Sequence, residues 1–317
     1  MSIFRRPDHG DAEDPGEDTP GTPVDPAPVD PPTAVGVESP VPQVAPVSRA
    51  GRNMPVATIV GVSILVFALG IAWWDARAFS VLLMLVCVAA VLEWRTALRQ
   101  HDRRIAVVPT VLATLGLGVA TYFGGPEGLV VALMVACAGV VAWRVADERI
   151  ENTMADAMAS ILTVLWIPFL ASFLILMETA GNGWTRVLIL VLAVVGNDTG
   201  GLFAGMLFGK HKMSPRVSPK KTWEGFAGGL LLGTVAATVA AFVLYDGRWW
   251  IGAVAGLACC LAAVLGDLAE SALKRDLQVK DMSSLIPGHG GILDRLDSIL
   301  VAAPAGYVVL AFFLGAT

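Results

Sequence analysis

The sequence predicts an all-α, polytopic membrane protein with about nine transmembrane helices behind a disordered N-terminal tail. Three observations support this fold class. The 317-residue chain is 55% hydrophobic and only 15% charged, with a mean hydropathy of +0.67, unlike ordinary soluble domains. Apolar runs long enough to cross a bilayer recur along it. The first fifty residues, in contrast, hold nine acidic residues and eleven prolines, a composition that cannot form a core.

We therefore divide the chain into two parts. Residues 1–53 are predicted to be a disordered, acidic and proline-rich cytoplasmic tail, and residues 54–317 a single transmembrane domain. The tail has no apolar central region and so does not resemble a secretory signal. The four cysteines all lie inside apolar runs without paired ligands, which indicates packing rather than a disulfide or zinc framework.

Nine apolar runs follow the tail. A bilayer core about 30 Å thick needs about 20 apolar residues for each spanning helix. The eighth run is expected to continue past the membrane surface as an amphipathic helix through "LAESALKRDL". The approximate bounds of the runs are 55–74, 78–94, 105–123, 127–143, 157–177, 184–209, 226–245, 249–267 and 292–314.

The distribution of lysine and arginine predicts the orientation. If the tail is cytoplasmic, nineteen of the twenty-two basic residues lie on the cytoplasmic side, and only Arg77, Arg186 and Arg248 lie outside. Loops of membrane proteins are enriched in basic residues on that side. The sequence therefore predicts a multi-pass protein of the cell membrane with its N-terminus and polar motifs in the cytoplasm and its C-terminus outside.

The stretch "GHGGILDRLDS" precedes the last apolar run. Its glycines predict a tight turn and a helix that begins near Ile292, whose free N–H groups and dipole would favour phosphate. Asp294 and Asp297 are three residues apart and fall on one face of that helix. Two carboxylates beside a phosphate suit a bridging Mg²⁺ ion. The alternative is that both acids simply complement the helix dipole.

Asp267 lies at the end of the eighth run, where an acid is costly and by default faces a partner, a cavity or an ion. Lys274 and Arg275 follow about two turns later, near enough to hold phosphates while Asp267 shares the metal. An arginine can bind a phosphate through two N–H groups at once. The alternative is an interfacial helix whose basic residues contact anionic lipid headgroups.

The loop over residues 209–225 carries a second polar motif, "SPKKTWEG". It contains Ser218, Lys221 and Glu224. A basic cytoplasmic loop would account for the lysines without catalysis, although not for the whole pattern. Just before it, glycines recur at every fourth residue and predict a close helix-packing face. These are Gly201, Gly205 and Gly209.

A third motif, "GNDTGG", lies within the sixth apolar run. Asp198 between glycines predicts a locally opened helix, which membranes tolerate where the backbone is buried in protein or lines a polar cavity. The alternative is a structural aspartate that is hydrogen-bonded between helices. Glu93, at the end of the second run beside Arg95, is interpreted as an interfacial acid.

The run "SALKRDLQVKDMSSLIPGHGGILDRLD" resembles the signature of the bacterial phosphatidate cytidylyltransferase, or CDP-diacylglycerol synthase, family. The resemblance covers residues 55–317 and extends to "DTGGLFAGMLFGKHKMSPRVSPKKTWEG". At 198–202 the chain departs from the aromatic-containing family pattern. The matching positions of the signature are Ser271, Lys274, Arg275, Lys280, Asp281, His289, Gly290, Gly291, Asp294, Arg295 and Asp297.

The resemblance implies a transferase of phospholipid biosynthesis that converts CTP and phosphatidate into CDP-diacylglycerol and pyrophosphate. It implies Mg²⁺, optionally with a second, monovalent cation such as K⁺, and a homodimer that binds membrane lipids and no nucleic acid. It assigns Asp267 and Asp294, with Asp297 as a third candidate, to the metal. The predicted catalytic residues are these three with Lys274, Arg275 and His289; the predicted substrate-binding residues are Lys221, Ser218, Lys280, Asp281, Arg295, Gly290, Gly291, Asp198 and Glu224.

Elementary chemistry is compatible with this reaction. A phosphate monoester, with a second pKa of about 6, is largely dianionic at neutral pH, so no strong general base is needed. The obstacle is repulsion from the nucleotide phosphates, which positioning and cations must overcome. Lys274, Arg275, Lys280 and Arg295 would screen this charge, and Lys221 would reach across from the other loop. His289 would hydrogen-bond a phosphate or stabilise its turn.

Two other functions are alternatives for a membrane protein of this kind. An ion-coupled transporter would use Asp198 as a site in a broken helix at the membrane midplane. However, nine spans do not divide into two halves, and the sequence has no internal repeat. A CDP-alcohol phosphatidyltransferase would carry a D-G-x-x-A-R motif, which is absent from the sequence. The choice of CTP over other nucleotides rests on the family resemblance.

Overall fold

The computed structural model describes residues 54–100, 103–147, 151–279, 282 and 291–315. Within these ranges the regular structure is helical apart from one short hairpin, so the predicted all-α class is confirmed. The predicted tail, residues 1–53, lies outside the described residues. The same is true of four predicted site residues, namely Lys280, Asp281, His289 and Gly290.

The helices of the described ranges follow the predicted apolar runs closely. They are α1 (Met54–Trp74), α2 (Ala76–Arg99), α3 (Val107–Ala146), α4 (Thr153–Val164), α5 (Leu170–Thr179), α6 (Gly183–Phe208), α7 (Trp223–Leu244), α8 (Trp249–Asp276) and α9 (Leu293–Leu314).

Helix α3 contains two of the predicted spans. Gly125 interrupts it with φ 57° and ψ −147°, a left-handed backbone conformation that favours glycine. A side chain at Gly128 would collide with the carbonyl of Ala120, although residues eight apart in a continuous helix are about 12 Å apart. The chain therefore turns back at Gly125 and separates the third and fourth predicted runs.

Seven helical stretches in the described ranges have the length and hydropathy of a membrane span, and α1 adds the shorter apolar stretch Gly61–Trp74. Helix α3 counts once among the seven stretches but contains two predicted runs, and α1 contains one more. The structure is therefore consistent with about nine crossings. The chain is thus a multi-pass membrane protein.

The span Thr153–Thr179 joins α4 to α5 through a π-helical turn at Leu165–Phe169. Pro168 lies in this turn, where it has no N–H group to donate within the helix. Its carbonyl accepts a hydrogen bond from Ser172 Oγ at 2.7 Å. Such π turns change the direction in which neighbouring side chains project and often occur at functional sites.

Helices α6 and α7 approach closely through glycines. Side chains at Gly200 or Gly228 would strike the opposite helix, and Gly225 packs against Gly201 and Gly205. The prediction of a packing face is therefore confirmed for Gly201 and Gly205. The predicted opening of the helix at Asp198 is wrong, because α6 is continuous through it. The flanking glycines serve close helix packing rather than a break.

Two elements position the polar loops. The eighth span continues as α8 to Asp276, as expected from its amphipathic extension. The loop after α6 forms an antiparallel hairpin that the sequence did not predict, with strands β1 (Lys212–Ser214) and β2 (Ser218–Thr222). Thr222 ends β2 and begins α7, where its Oγ1 accepts the N–H of Gly225 at 3.1 Å.

The core lies where α6, α8 and α9 pack together and against α2 and α5. Small buried residues such as Ala193, Ala263 and Ala303 allow these contacts. The outer surface instead exposes large apolar side chains, for example Phe123 and Phe312. An apolar exterior is what a helical bundle in lipid requires.

Candidate active site

The predicted site residues that the structure describes belong to α6, the β1–β2 hairpin with the start of α7, the C-terminal half of α8 and the beginning of α9. Two lysine–carboxylate pairs connect these elements. One joins the hairpin to α8, and the other joins α8 to α9.

The first pair is Lys221 of β2 with Asp267 of α8. Lys221 Nζ lies 2.6 Å from Asp267 Oδ2, and Ser271 Oγ donates to Asp267 Oδ1 at 3.3 Å. Both oxygens of Asp267 are thus engaged, and the carboxylate is about one third exposed. The hairpin is held against α8 by a contact between two predicted site residues.

Beside this pair lies a cavity of about 300 Å³. Its polar lining includes Asp198 and Asn197 of α6 with Lys221 and Asp267. Its apolar walls are formed by Leu202, Met213, Phe226, Ala263 and Val264. A cavity with a few charged groups and apolar walls is suited to a ligand that is polar at one end and apolar at the other.

The second pair centres on Lys274. Its Nζ donates to Asp294 Oδ1 and to Glu270 Oε2, each at 3.0 Å. The other oxygen of Asp294 accepts the N–H groups of Met282 and Gly291, at 3.0 and 2.8 Å. Asp294 is therefore a fixed acceptor at the start of α9, and Lys274 is held between two carboxylates.

The two carboxylates that the sequence assigned to one metal ion pair with different lysines in this structure, Asp267 with Lys221 and Asp294 with Lys274. Asp267 also lies near enough to Asp297 and Asp198 for mutual electrostatic repulsion. Among the described residues, no group of three or more His, Cys, Asp or Glu side chains is arranged to hold a metal ion. The donor chemistry still suits Mg²⁺, which uses one or two protein carboxylates together with phosphates and waters.

The N–H groups at the start of α9, which the sequence predicts to bind phosphate, contact carboxylates in this structure. Glu93 of α2 accepts the N–H groups of Ile292 and Leu293, at 2.8 and 3.1 Å, while Asp294 accepts that of Gly291. The N–H groups that would bind phosphate are therefore occupied by carboxylates, which satisfy the helix dipole from within the protein. The interfacial interpretation of Glu93 is wrong, since its side chain is buried.

Glu93 also explains the glycine at 291. A side chain there would overlap the Glu93 carboxylate. Gly291 is therefore placed for close approach by an acid, rather than by a phosphate, in this structure. Its predicted contact with substrate stays a prediction.

Other predicted residues have structural contacts as well. Arg275 Nε donates to the Val217 carbonyl in the hairpin at 3.2 Å. Glu224 lies 2.6 Å from His211 Nδ1 and accepts the N–H groups of Lys210 and His211. Ser218 begins β2, opposite Ser214, and Arg295 is exposed on α9. Their proposed contacts with substrate also stay predictions.

Sequence reasoning missed Glu270 and Glu93. Glu270 is completely buried, contacts Lys274 and lies next to Asp297. Both acids occur at the ends of apolar runs, where burial of a charge is costly unless it has a partner. That signal was available in the sequence. Their partners were not, because Glu93 contacts residues about two hundred positions away.

Comparisons with known proteins show the family to which this chain belongs. A sequence model described as the cytidylyltransferase family matches residues 55–313. Proteins named phosphatidate cytidylyltransferase are similar to this chain in Mycobacterium bovis (36% identity; 83% of this chain and 90% of the relative) and Mycobacterium leprae (37%; 83% and 89%). One in Staphylococcus aureus strain COL is 31% identical over 73% of this chain and 90% of its own length. The chain therefore belongs to the cytidylyltransferase family.

Proposed function

We propose that this protein is a phosphatidate cytidylyltransferase, which forms CDP-diacylglycerol and pyrophosphate from CTP and phosphatidate. Support comes from the family match along almost the whole membrane domain and from relatives that carry this name. The observation that carries the proposal is the Lys221–Asp267 ion pair beside the cavity, with the Lys274–Asp294 pair joining the same helix, α8, to α9.

In this reaction a phosphate oxygen of phosphatidate attacks the α-phosphorus of CTP. A new P–O bond forms, the bond from the α-phosphorus to the bridging oxygen breaks, and that oxygen leaves with its electron pair on pyrophosphate. The attacking dianion needs no proton removed. The protein must therefore align two anionic groups and neutralise their charge.

Lys221 and Lys274 are the residues best placed for this work. Each now neutralises a carboxylate at 2.6 and 3.0 Å. We propose that, when nucleotide binds, each lysine transfers its contact to a phosphate oxygen while the carboxylate turns to a cation. Arg275 would exchange its Val217 contact in the same way, and an arginine can bind phosphate through two N–H groups.

The cofactor is part of the proposal. Asp267 and Asp294, with Asp297 as an alternative for one of them, would hold Mg²⁺ together with the nucleotide phosphates. Bound there, Mg²⁺ would supply positive charge to the transferring and leaving groups. A second, monovalent cation such as K⁺ is proposed only on the family resemblance.

The membrane arrangement follows from the basic residues. We propose that the N-terminus and the site face the cytoplasm, where CTP is available, and that the C-terminus is outside the cell membrane. The glycerol backbone and acyl chains of phosphatidate would remain along the apolar wall near Leu202 and Phe226. The homodimer is carried over from the family resemblance.

No transporter function is proposed. That alternative required a broken helix at Asp198, and α6 is continuous there. The roles predicted for Lys280, Asp281, His289 and Gly290 remain predictions, since these residues lie outside the described ranges.

One assay tests the proposed reaction. The full chain, purified in detergent with dioleoyl phosphatidate, is supplied with each of the four ribonucleoside triphosphates in turn, with and without Mg²⁺. We expect Mg²⁺-dependent pyrophosphate release with CTP and formation of CDP-diacylglycerol. Equal turnover of all four nucleotides would contradict the cytidine preference, and no turnover with any of them would contradict the proposal as a whole.

A further inference from the structure

The open end of the β1–β2 hairpin, where the chain enters β1 and leaves β2, is closed by the carboxylate of Glu224. Glu224 lies in the first turn of α7. Its Oε2 accepts the N–H groups of Lys210 and His211, at 3.1 and 3.2 Å, and its Oε1 lies 2.6 Å from His211 Nδ1. We call these contacts between Glu224 and residues 210–211 the Glu224 clasp.

A backbone contact continues the Glu224 clasp into the hairpin itself. The Trp223 N–H donates to the His211 carbonyl at 2.9 Å, and the next pair of the ladder joins Lys212 to the residue that follows Lys221. Lys221 Nζ in turn lies 2.6 Å from Asp267 Oδ2. The clasp therefore fixes the backbone beside the lysine that reaches α8.

Two polar contacts attach the hairpin to α8 among the described residues, and the proposed reaction uses both. Lys221 contacts Asp267, and Arg275 Nε donates at 3.2 Å to the carbonyl of Val217, in the turn between the strands. By the proposed function, Lys221 and Arg275 leave these partners when nucleotide binds. The Glu224 clasp involves neither residue, so it can hold the hairpin in place during that exchange.

The same contacts argue against a direct role of Glu224 in binding substrate. An ionised carboxylate only accepts hydrogen bonds, and both oxygens of Glu224 already have donors. Glu224 is also absent from the described residues that line the large cavity. A carboxylate would moreover repel the phosphates of a nucleotide.

We propose that the Glu224 clasp positions Lys221 for the transferase reaction, so that Glu224 acts on the hairpin and not on the substrate. Glu224 and His211 are then positioning residues, and this role rests on the proposed function. Its loss should matter for rate, because a misplacement of about 1 Å at a reacting centre can cost about 10²-fold. The clasp itself does not depend on the activity and can be tested separately.

Amide hydrogen exchange tests the clasp without substrate or turnover. Glu224→Ala leaves the N–H groups of Lys210 and His211 without their acceptor. In the full chain in detergent, we expect peptides that cover residues 209–225 to exchange about tenfold faster in this variant, because loss of a hydrogen bond to a charged acceptor makes local opening less costly.

Glu127→Ala, which removes an exposed glutamate of α3, is the matched control and should leave the exchange of these peptides unchanged. Equal exchange in the unchanged protein and in Glu224→Ala would overturn the clasp, whatever the activity of the protein.

Turnover tests the connection to Lys221. We expect Glu224→Ala to lower kcat about 10²-fold with little change in KM for CTP. Glu224→Gln keeps one acceptor oxygen and should recover part of both the turnover and the protection from exchange. A raised KM with unchanged kcat and unchanged exchange would instead indicate direct contact with substrate and would overturn the proposal.

A double variant with Lys221→Met tests the path. If Glu224 acts through Lys221, adding Glu224→Ala to Lys221→Met should cost little further activity. Multiplication of the two single losses would contradict that path. No turnover in the unchanged protein would refute the proposed function and with it the positioning role, while the exchange result would still decide whether the clasp exists.

His211→Ala removes the ring contact and keeps the backbone contacts of the clasp. We expect a smaller effect than that of Glu224→Ala on both exchange and kcat, and no further loss when the two changes are combined. An effect of His211→Ala equal to that of Glu224→Ala would contradict the central place of the carboxylate.

Discussion

Glu93 Oε2 accepts the backbone N–H of Ile292 at 2.8 Å and so ties the end of α2 to the beginning of α9. The next N–H, that of Leu293, reaches the same oxygen. Asp294 follows directly and carries the contact to Lys274. The position of a predicted metal ligand therefore depends on an acid from a distant helix.

Replacement of Glu93 by glutamine should weaken this connection. The amide removes the negative charge at the helix N-terminus, where a carboxylate contributes about 0.3–2 kcal/mol. We expect a lower apparent unfolding temperature in detergent and a fall in kcat, because Asp294 loses its fixed position. Glu127→Gln, at an exposed glutamate of α3, is the control. Unchanged stability and turnover in the Glu93 variant would refute the role of this cap.

Lys221→Met removes the ammonium group from Asp267 and, by the proposal, from a substrate phosphate. Loss of one such stabilising group commonly lowers kcat about 10²–10³-fold. We also expect Mn²⁺ alone, followed by electron paramagnetic resonance, to bind more tightly, since Asp267 loses its competing cation. Lys212→Met, at an exposed position of strand β1, should change neither quantity. Weaker Mn²⁺ binding in the Lys221 variant would argue against exchange of the lysine for a metal ion.

Close packing of α6, α7 and α8 predicts a strong effect of one added methyl group. In Gly233→Ala the new carbon would lie against the Ala193 carbonyl, Cys260 Sγ and the Asn197 N–H. Overpacking of this kind costs about 1–3 kcal/mol, which should lower the apparent unfolding temperature. Gly116→Ala in α3 has no atom within 4 Å of the new carbon and should be neutral or slightly stabilising. Equal behaviour of the two variants would contradict the close contact.

Much of the fold could be predicted from local properties of the sequence. Each apolar run became helix because the bilayer leaves few alternatives, and the eighth run continued to Asp276 as its pattern indicated. The β1–β2 hairpin and the π-helical turn were missed. Both depend on contacts between distant segments, such as Lys221 with Asp267, rather than on periodicity.

In the candidate site, too, the residues could be predicted from local sequence but their contacts with distant segments could not. Asp267 could be selected because charge in an apolar run has a cost. Lys221, Lys274 and Asp294 could be selected because they lie in the polar motifs that resemble the family. Their pairing could not be predicted, and the sequence favoured one metal between Asp267 and Asp294 instead. The contact of Glu93 with the N–H groups at the start of α9 was missed for a related reason. Helix ends attract any anion, and periodicity does not show that Glu93 is the anion nearest in space.

The central claim is that Asp267 and Asp294 serve one transfer reaction. The direct measurement is incorporation of radiolabelled CTP into CDP-diacylglycerol by proteoliposomes that contain the intact protein, Asp267→Asn or Asp294→Asn. We expect each variant to fold, as judged by its size-exclusion profile, and to lose about 10³-fold or more of the activity, since divalent charge stabilisation amounts to several kcal/mol. Incorporation at the rate of the unchanged protein in either folded variant would contradict the account.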